Sequence, residues 1–426
     1  MSNKEEFSKI CIVGLGYIGL PTAAVFASNK LVVTGVDINK NTVAKVNKGQ
    51  IHIIEPNLED IVNTAVKNGY LSASEVPESA DAFLITVPTP INFNNSNYSP
   101  KPDLSFIKAA IESISVVLKS GDIVILESTS PVGTTELVEN WLESLRPDLT
   151  FPTKYGEDSN IRIAYCPERV LPGNTINELV TNDRVIGGIT NKCSKLAADL
   201  YSVFLKGECY LTNAKTAEMT KLTENSCRDV QIAFANELSI ICDDLGINVW
   251  ELISLSNKHP RINILNPGPG VGGHCIAVDP WFIISKSPEE TALIRTARDV
   301  NDRKPEWVLD KIDKVTLEYL KENTDKSIDD IVVCCYGLSF KANIDDLRES
   351  PSLKIAAKIS ESHKGKVVVV EPNIEYIPEH ITNLELVCME DAFESAHIHI
   401  LLVDHDEFKI DVLPKGKIID TRGIWV

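Results

Sequence analysis

Near-continuous apolar runs constrain this chain more than any other feature. "KICIVGLG", "LVVTGVDI", "DAFLITVPTP", "GDIVILESTS", "IRIAYCPE" and "RVIGGIT" fill its first part, and helix-like stretches separate most of them. A strand with one wet face alternates polar and apolar residues; these do not, so both faces are buried under helices, as in a parallel sheet. Polar loops interrupt the pattern at "NFNNSNYSPKPD" and "FPTKYGEDSN". From about Asn213 to Leu245 the period becomes helical, with no Gly or Pro until Gly246. Helices continue through "VWELISLSNK", and the charged "EYLKENTDKSIDD" reads as a linker or helix end. Strand patterns return in "IVVCCYGLSF", "KVVVVEPN", "HIHILLVDH" and "GKIIDTRG". The expectation is an α/β fold in which two doubly wound domains are joined by a central helical domain with a long helix.

A chain of 426 residues exceeds one ordinary core. Its net charge of −18 argues against nucleic acid or an anionic membrane surface as a partner. An anionic ligand must therefore be held by local positive groups. The ten cysteines show no C-x-x-C pair, no metal-site spacing is evident, and no run reaches the length of a membrane span. Free thiols in a reducing cytoplasm are expected.

"CIVGLGYIGLPTAAVFA" sets Gly14, Gly16 and Gly19 as G-x-G-x-x-G between a strand and a helix. Asp37 follows 23 residues after Gly14, at the end of the next apolar run. Glycines there permit a tight turn and let a pyrophosphate approach the helix N-terminus, and the carboxylate accepts hydrogen bonds from ribose hydroxyls. Asp37 would repel a 2′-phosphate, so NAD is expected over NADP. Lys221 and Asn225, four apart in the long helix, share a face and suit a developing alkoxide, although a solvated face has the same pattern. Glu168 of "YCPERVLPG" follows a strand end, where ligands of α/β sheets collect; it reads as a general base or equally as a loop salt bridge. In "YGLSFKANIDDLRESPSLKIAAKIS", Ser350 and Pro351 suit a helix start, and Lys341 and Arg348 lie in the loop before it, a candidate diphosphate site or a surface loop of mixed charge. In "GPGVGGHCIAVDPWF", Cys275 ends a glycine-rich stretch beside His274, and filler, metal ligand and nucleophile all remain open for the thiol.

Together "GLGYIGLP", "VPTP", "ESTSPVGTT", "CPERVLPG", "KLTENS", "GPGVGGHCIAVDP" and "GLSFKANIDDLRESP" resemble the nucleotide-sugar 6-dehydrogenases, the family of UDP-glucose and UDP-N-acetylhexosamine dehydrogenases, over nearly the whole chain. The resemblance implies an NAD-binding Rossmann domain over 1–200, a central helical domain forming a homodimer over 201–310 and a UDP-sugar-binding Rossmann-like domain over 311–426. It implies oxidation of a C6 alcohol to a carboxylate with two NAD. Cys275 then resembles the nucleophile, Lys221 and Asn225 the groups that steady oxygen at C6, Asp279 the carboxylate ordering the site, Glu168 the residue tied to thioester hydrolysis and Thr129 a water-holding hydroxyl.

For the cofactor, the resemblance implies Gly14, Gly16, Tyr17, Ile18, Gly19, Asp37, Pro88, Thr89, Thr129 and Arg348. For the sugar nucleotide, it implies Glu168, Arg169, Val170, Lys221, Asn225, Arg228, His259, Gly272 and Lys341, with Arg261 acting across the dimer. "GGHC" and "PERV" depart from the glucose branch, which usually reads "GGSC" and "PEFL". "PERVLPG" and "AVDPWF" resemble the N-acetylmannosamine relatives, whose product serves bacterial surface polysaccharides. Rival readings are the same reaction on UDP-N-acetylglucosamine or UDP-glucose, a silent NAD and UDP-sugar sensor, and a two-electron hydroxy-acid dehydrogenase.

Overall fold

The runs without polar interruption become strands closed on both faces. A computed structural model describes residues 7–92, 100–273, 275–378, 381 and 383–425. Contacts divide the chain into two compact units, one of Met1–Glu224 with Trp281–Pro288, the other of Asn225–Pro280 with Glu289–Val426.

The first unit holds β1 (Lys9–Val13), β2 (Val32–Val36), β3 (Leu71–Ser74), β4 (Ala82–Ile85), β5 (Ile123–Leu126), β6 (Arg162–Tyr165), β7 (Arg184–Gly188) and β8 (Cys209–Asn213). Their order is β8-β7-β6-β5-β4-β1-β2-β3. The order reverses between β1 and β4, and ligands of doubly wound sheets bind outside the strand C-termini at such a point. Helix α1 (Gly19–Ser28) follows β1 and is buried along almost its whole length. Neighbouring strands run parallel except β6 and β7, which pair antiparallel through Ala164–Gly188 and Tyr165–Gly187. "RVIGGIT" is thus a strand as its composition predicts, but reversed against β6.

The second unit's sheet holds β9 (Val333–Tyr336), β10 (Val367–Val370), β11 (Glu385–Leu386), β12 (Ile398–Leu401) and β13 (Lys417–Asp420), in the order β11-β10-β9-β12-β13 and parallel throughout. The helical middle comprises α2 (Ala214–Leu245), α3 (Val249–Ser256), α4 (Asp279–Lys286) and α5 (Ala292–Glu322), and α6 (Pro351–Ser362) follows β9. The fold class expected from sequence is the one observed. "EYLKE" closes α5 as helix, and the expected loop at "FPTKYGEDSN" contains two short turns, one of α-helix at Pro152–Tyr155 and one of 3-10 helix at Gly156–Asp158. Among the described residues no helix is long and apolar enough to cross a membrane.

Candidate active site

At the C-terminal edge of the first sheet the chain turns at Gly14, whose N–H donates to Val36 O at 2.8 Å. Gly19 cannot carry a side chain, since a Cβ would lie 1.8 Å from Gly14 O. Gly16 is exposed with nothing within 4 Å of a would-be Cβ, so the turn is open on that side. The N-cap residue Ile18 makes no side-chain cap; in the first turn of α1 Leu20 N donates to Gly16 O at 3.1 Å and Pro21 has no N–H, so an anion at this helix start would be met by the glycine turn itself. Tyr17 and Ile18 are half-buried between these glycines. Asp37 accepts from Leu15 N at 3.0 Å through Oδ2 and from Asn39 N at 2.8 Å through Oδ1. Each oxygen keeps a lone pair for a ribose hydroxyl. This open cradle and anchored carboxylate fit NAD.

The neighbouring loops are stitched to one another. Thr89 Oγ1 donates to Thr129 O at 2.6 Å, and Ser128 Oγ donates to Val87 O at 2.7 Å. Pro88, exposed, and Thr89 therefore stand beside Thr129. Beyond β6, Glu168 is buried: Lys221 Nζ donates to its carbonyl at 2.8 Å and lies 3.2 Å from Oε1, while Oε2 accepts from Val170 N at 2.8 Å. Two buried charges persist together only when paired and hydrogen-bonded, as here. Arg169 turns away to Glu224 at 2.7 Å. Glu218, one turn before Lys221, accepts from Gly133 N and Thr135 N at 2.6 and 2.7 Å. Two positions one turn apart on α2 thus hold the loops that carry Thr129 and Glu168.

In the second unit Cys275 is exposed. Its carbonyl accepts from Val278 N at 3.1 Å and Asp279 N at 2.8 Å, so the cysteine sits on the turn that starts α4. Buried Asp279 accepts from Asn225 Nδ2, which ties α2 to that turn. Gly272 passes where no Cβ fits: one would lie 2.7 Å from Glu349 O and Pro351 Cδ and 2.9 Å from Phe340 Cβ. The cysteine loop is thereby pressed against the segment bearing Lys341, itself exposed. Arg348 forks onto Asp346 at 2.8 and 2.6 Å. Ser350 caps α6 by accepting from Leu353 N at 3.2 Å, so part of that helix end is satisfied by its own hydroxyl. Arg228 is exposed on α2, and His259 and Arg261 occupy an exposed turn where Arg261 N donates to His259 Nδ1 at 3.3 Å. His274 lies outside the described residues.

None of the ten cysteines is in a disulfide. Burial pushes the Cys11 and Cys335 thiols up to about 12 and Cys166 to about 11, which keeps them protonated and unreactive. Pro351, expected only as a helix start, also crowds Gly272, while Phe340 and Arg422, which crowd Gly272 and Gly268, carry no sequence signal of their own beyond the place of Phe340 beside Lys341.

A dinucleotide-dependent dehydrogenase is the class this fold and its cradle define. Residues 8–205 match the NAD binding domain of the UDP-glucose/GDP-mannose dehydrogenase family, 215–303 its central domain and 334–426 its UDP binding domain. The chain belongs to that family. It is 55% identical over 99% of its length to all of the UDP-N-acetyl-D-mannosamine dehydrogenase of Escherichia coli. It is 56% identical, again over 99%, to 97% of the NDP-N-acetyl-D-galactosaminuronic acid dehydrogenase of Ralstonia nicotianae. Among solved structures, UDP-D-ManNAc dehydrogenase from Pyrococcus horikoshii superposes with a TM-score of 0.84 at 38% identity, covering 98% of this chain and 96% of that one.

Proposed function

We propose that the chain oxidises the C6 alcohol of UDP-N-acetyl-D-mannosamine to the uronic acid with two NAD, through a covalent intermediate on Cys275. The observation that carries the mechanism is the exposed Cys275 on a turn whose N–H donor, Asp279, is fixed by Asn225. NAD, when bound, accepts one hydride from C6 in each oxidation. Lys221 and Asn225, one turn apart on α2, steady the oxygen at C6 as its proton leaves. The aldehyde formed has no hydroxyl proton to lose, so the Cys275 sulfur adds to it and gives a thiohemiacetal. Loss of the second hydride leaves a thioester. Water held by Thr129 and activated by Glu168 cleaves that bond, returning the thiol and releasing the carboxylate. The ion pair of Glu168 with Lys221 supports the two acting in sequence at one carbon, C6.

The same reading assigns Gly14, Gly16, Gly19 and Asp37 to NAD, with Arg348 added, and Lys341, Gly272, Arg228, His259 and Arg261 to the nucleotide sugar. It divides the chain near residues 200 and 310, and places the product in surface polysaccharide synthesis in the cytoplasm. A homodimer through the central helices is supported by Phe234, Ile241 and Leu245, an exposed apolar stripe on α2. The identity to a galactosaminuronic acid dehydrogenase favours one second reading, an N-acetylhexosamine of another configuration.

The deciding experiment compares kcat/KM for UDP-N-acetylmannosamine, UDP-N-acetylglucosamine, UDP-N-acetylgalactosamine and UDP-glucose, with NADH counted per acid formed. Two NADH per acid and the highest value for UDP-N-acetylmannosamine are expected. A single NADH with accumulating aldehyde removes the double oxidation, and a higher value for a competitor removes the sugar assignment alone.

A further inference from the structure

The loop that delivers Cys275 is entered through a backbone N–H held by one buried side chain. Gly268 N donates to Asn236 Oδ1 at 2.9 Å. Asn236 Nδ2 donates to Asn301 Oδ1 at 2.9 Å, joining α2 to α5. Asn301 Nδ2 donates to the carbonyl and Oδ1 of Asp229 at 3.0 and 2.8 Å. Arg298 Nη1 also donates to that Oδ1, at 2.6 Å. All four residues are at most 1% exposed.

This row of polar groups has a direction. A carboxylate only accepts, so Asn301 must turn its NH₂ toward Asp229 and its oxygen toward Asn236. Asn236 must then give its NH₂ to Asn301 and its oxygen to Gly268. Flipping either amide would set oxygen against oxygen or N–H against N–H in a dry interior, and buried groups left so are strongly disfavoured. The ion pair at one end therefore fixes the orientation of the acceptor at the other. Further along, the loop is pinned where Gly272 passes Pro351 and where Cys275 O receives Val278 N and Asp279 N at the start of α4.

We propose that Asn236 is a positioning residue for the Cys275 thiol: it anchors the loop at Gly268 in the single orientation that Asp229 and Asn301 permit, and so sets the path along which the sulfur is presented. The inference rests on Cys275 being the nucleophile. Only the second oxidation needs the sulfur, so loss of the anchor should separate the two halves of the reaction.

The test uses the full enzyme as Asn236→Leu and Asn236→Asp, with Cys275→Ala as control. For Asn236→Leu, acid formation should fall on the order of 10- to 100-fold, while NADH-dependent reduction of a supplied nucleotide-sugar 6-aldehyde and the KM values stay within about threefold. Asn236→Asp should be rescued at low pH. A protonated carboxyl offers one donor and one acceptor, as the amide does, whereas the ionised form turns an acceptor on Asn301. Its acid formation relative to wild type should therefore fall as pH rises from about 6 to 9, with burial raising the carboxyl into that range. Wild-type acid formation by Asn236→Leu, or parallel loss of both half-reactions, overturns the proposal. If Asn236→Leu does not fold, a flat pH ratio for Asn236→Asp overturns it. Acid formation by Cys275→Ala removes the nucleophile reading itself; an inactive Cys275→Ala beside a fully active Asn236→Leu removes only the positioning role.

Discussion

Lys304→Met should stabilise the protein at neutral pH, by an amount that shrinks as pH rises. Lys304 lies on α5 and is 2% exposed. Its Nζ donates to Ser239 Oγ at 2.6 Å and stands 3.5 Å from the Trp307 ring centre. Burial pushes the amine down to about 7, with the Lys311 charge adding and Asp243 opposing. The free chain keeps the ordinary lysine value near 10.4, so at about 1.4 kcal/mol per pH unit the burden of burying the charged form is roughly 5 kcal/mol. The folded state binds fewer protons here than the unfolded state between about pH 7 and 10, so wild-type stability rises with pH through that window. Below pH 7 both states are protonated and the whole burden is felt. Methionine keeps most of the stem and cannot charge. Its advantage should be on the order of 4 kcal/mol at pH 6.5 and smaller by roughly 2–3 kcal/mol at pH 9. The assay is urea unfolding followed by tryptophan fluorescence, wild type against variant, at several pH values. A difference that is flat with pH, or grows as pH rises, refutes the reasoning.

Asp37→Ala should raise NADP use relative to NAD by weakening NAD and removing repulsion of a 2′-phosphate; equal use of both cofactors by wild type in steady-state kinetics would contradict the placement. Arg184→Met strands Glu127, which lies 3.2 Å away and whose carboxyl burial pushes up to about 7. It should cost about 3 kcal/mol at pH 8 and less at pH 6, where the acid is neutral, as read by denaturant midpoints. Gly272→Ala forces a methyl against backbone and proline ring, so a loss of about 1–3 kcal/mol is expected, together with slower acid formation than NAD binding alone explains. Iodoacetamide at pH 8 should label Cys275 well before Cys11, Cys166 or Cys335; peptide mass spectrometry showing the reverse order would contradict the burial of those thiols.

What the sequence discloses is what short range controls. Gly14 and Gly19 are legible because a tight turn between strand and helix needs them within a few positions of each other, and Asp37 because it ends the next apolar run. Lys221 and Asn225 are legible as one helical turn. β8 is not, because as an edge strand it leaves Tyr210 and Leu211 exposed and shows no continuous apolar run. The reversal of β7 is equally silent, since pairing direction belongs to the sheet and not to the strand. The row behind Gly268 joins residues more than sixty positions apart. Its one trace is that Asp229 and Asn236, seven apart, bring polar groups to a face of α2 that is buried.

The tight passage of Gly272 by Phe340, Glu349 and Pro351 has a thermodynamic consequence. With no side chain to act as a cushion, the cysteine loop moves toward the Lys341–Arg348 segment only if that segment gives way. Anything that stills that segment stills the thiol with it. A diphosphate gripped there would narrow the spread of sulfur positions before C6 becomes an aldehyde, so conformational entropy is surrendered when the nucleotide docks and not again at the barrier.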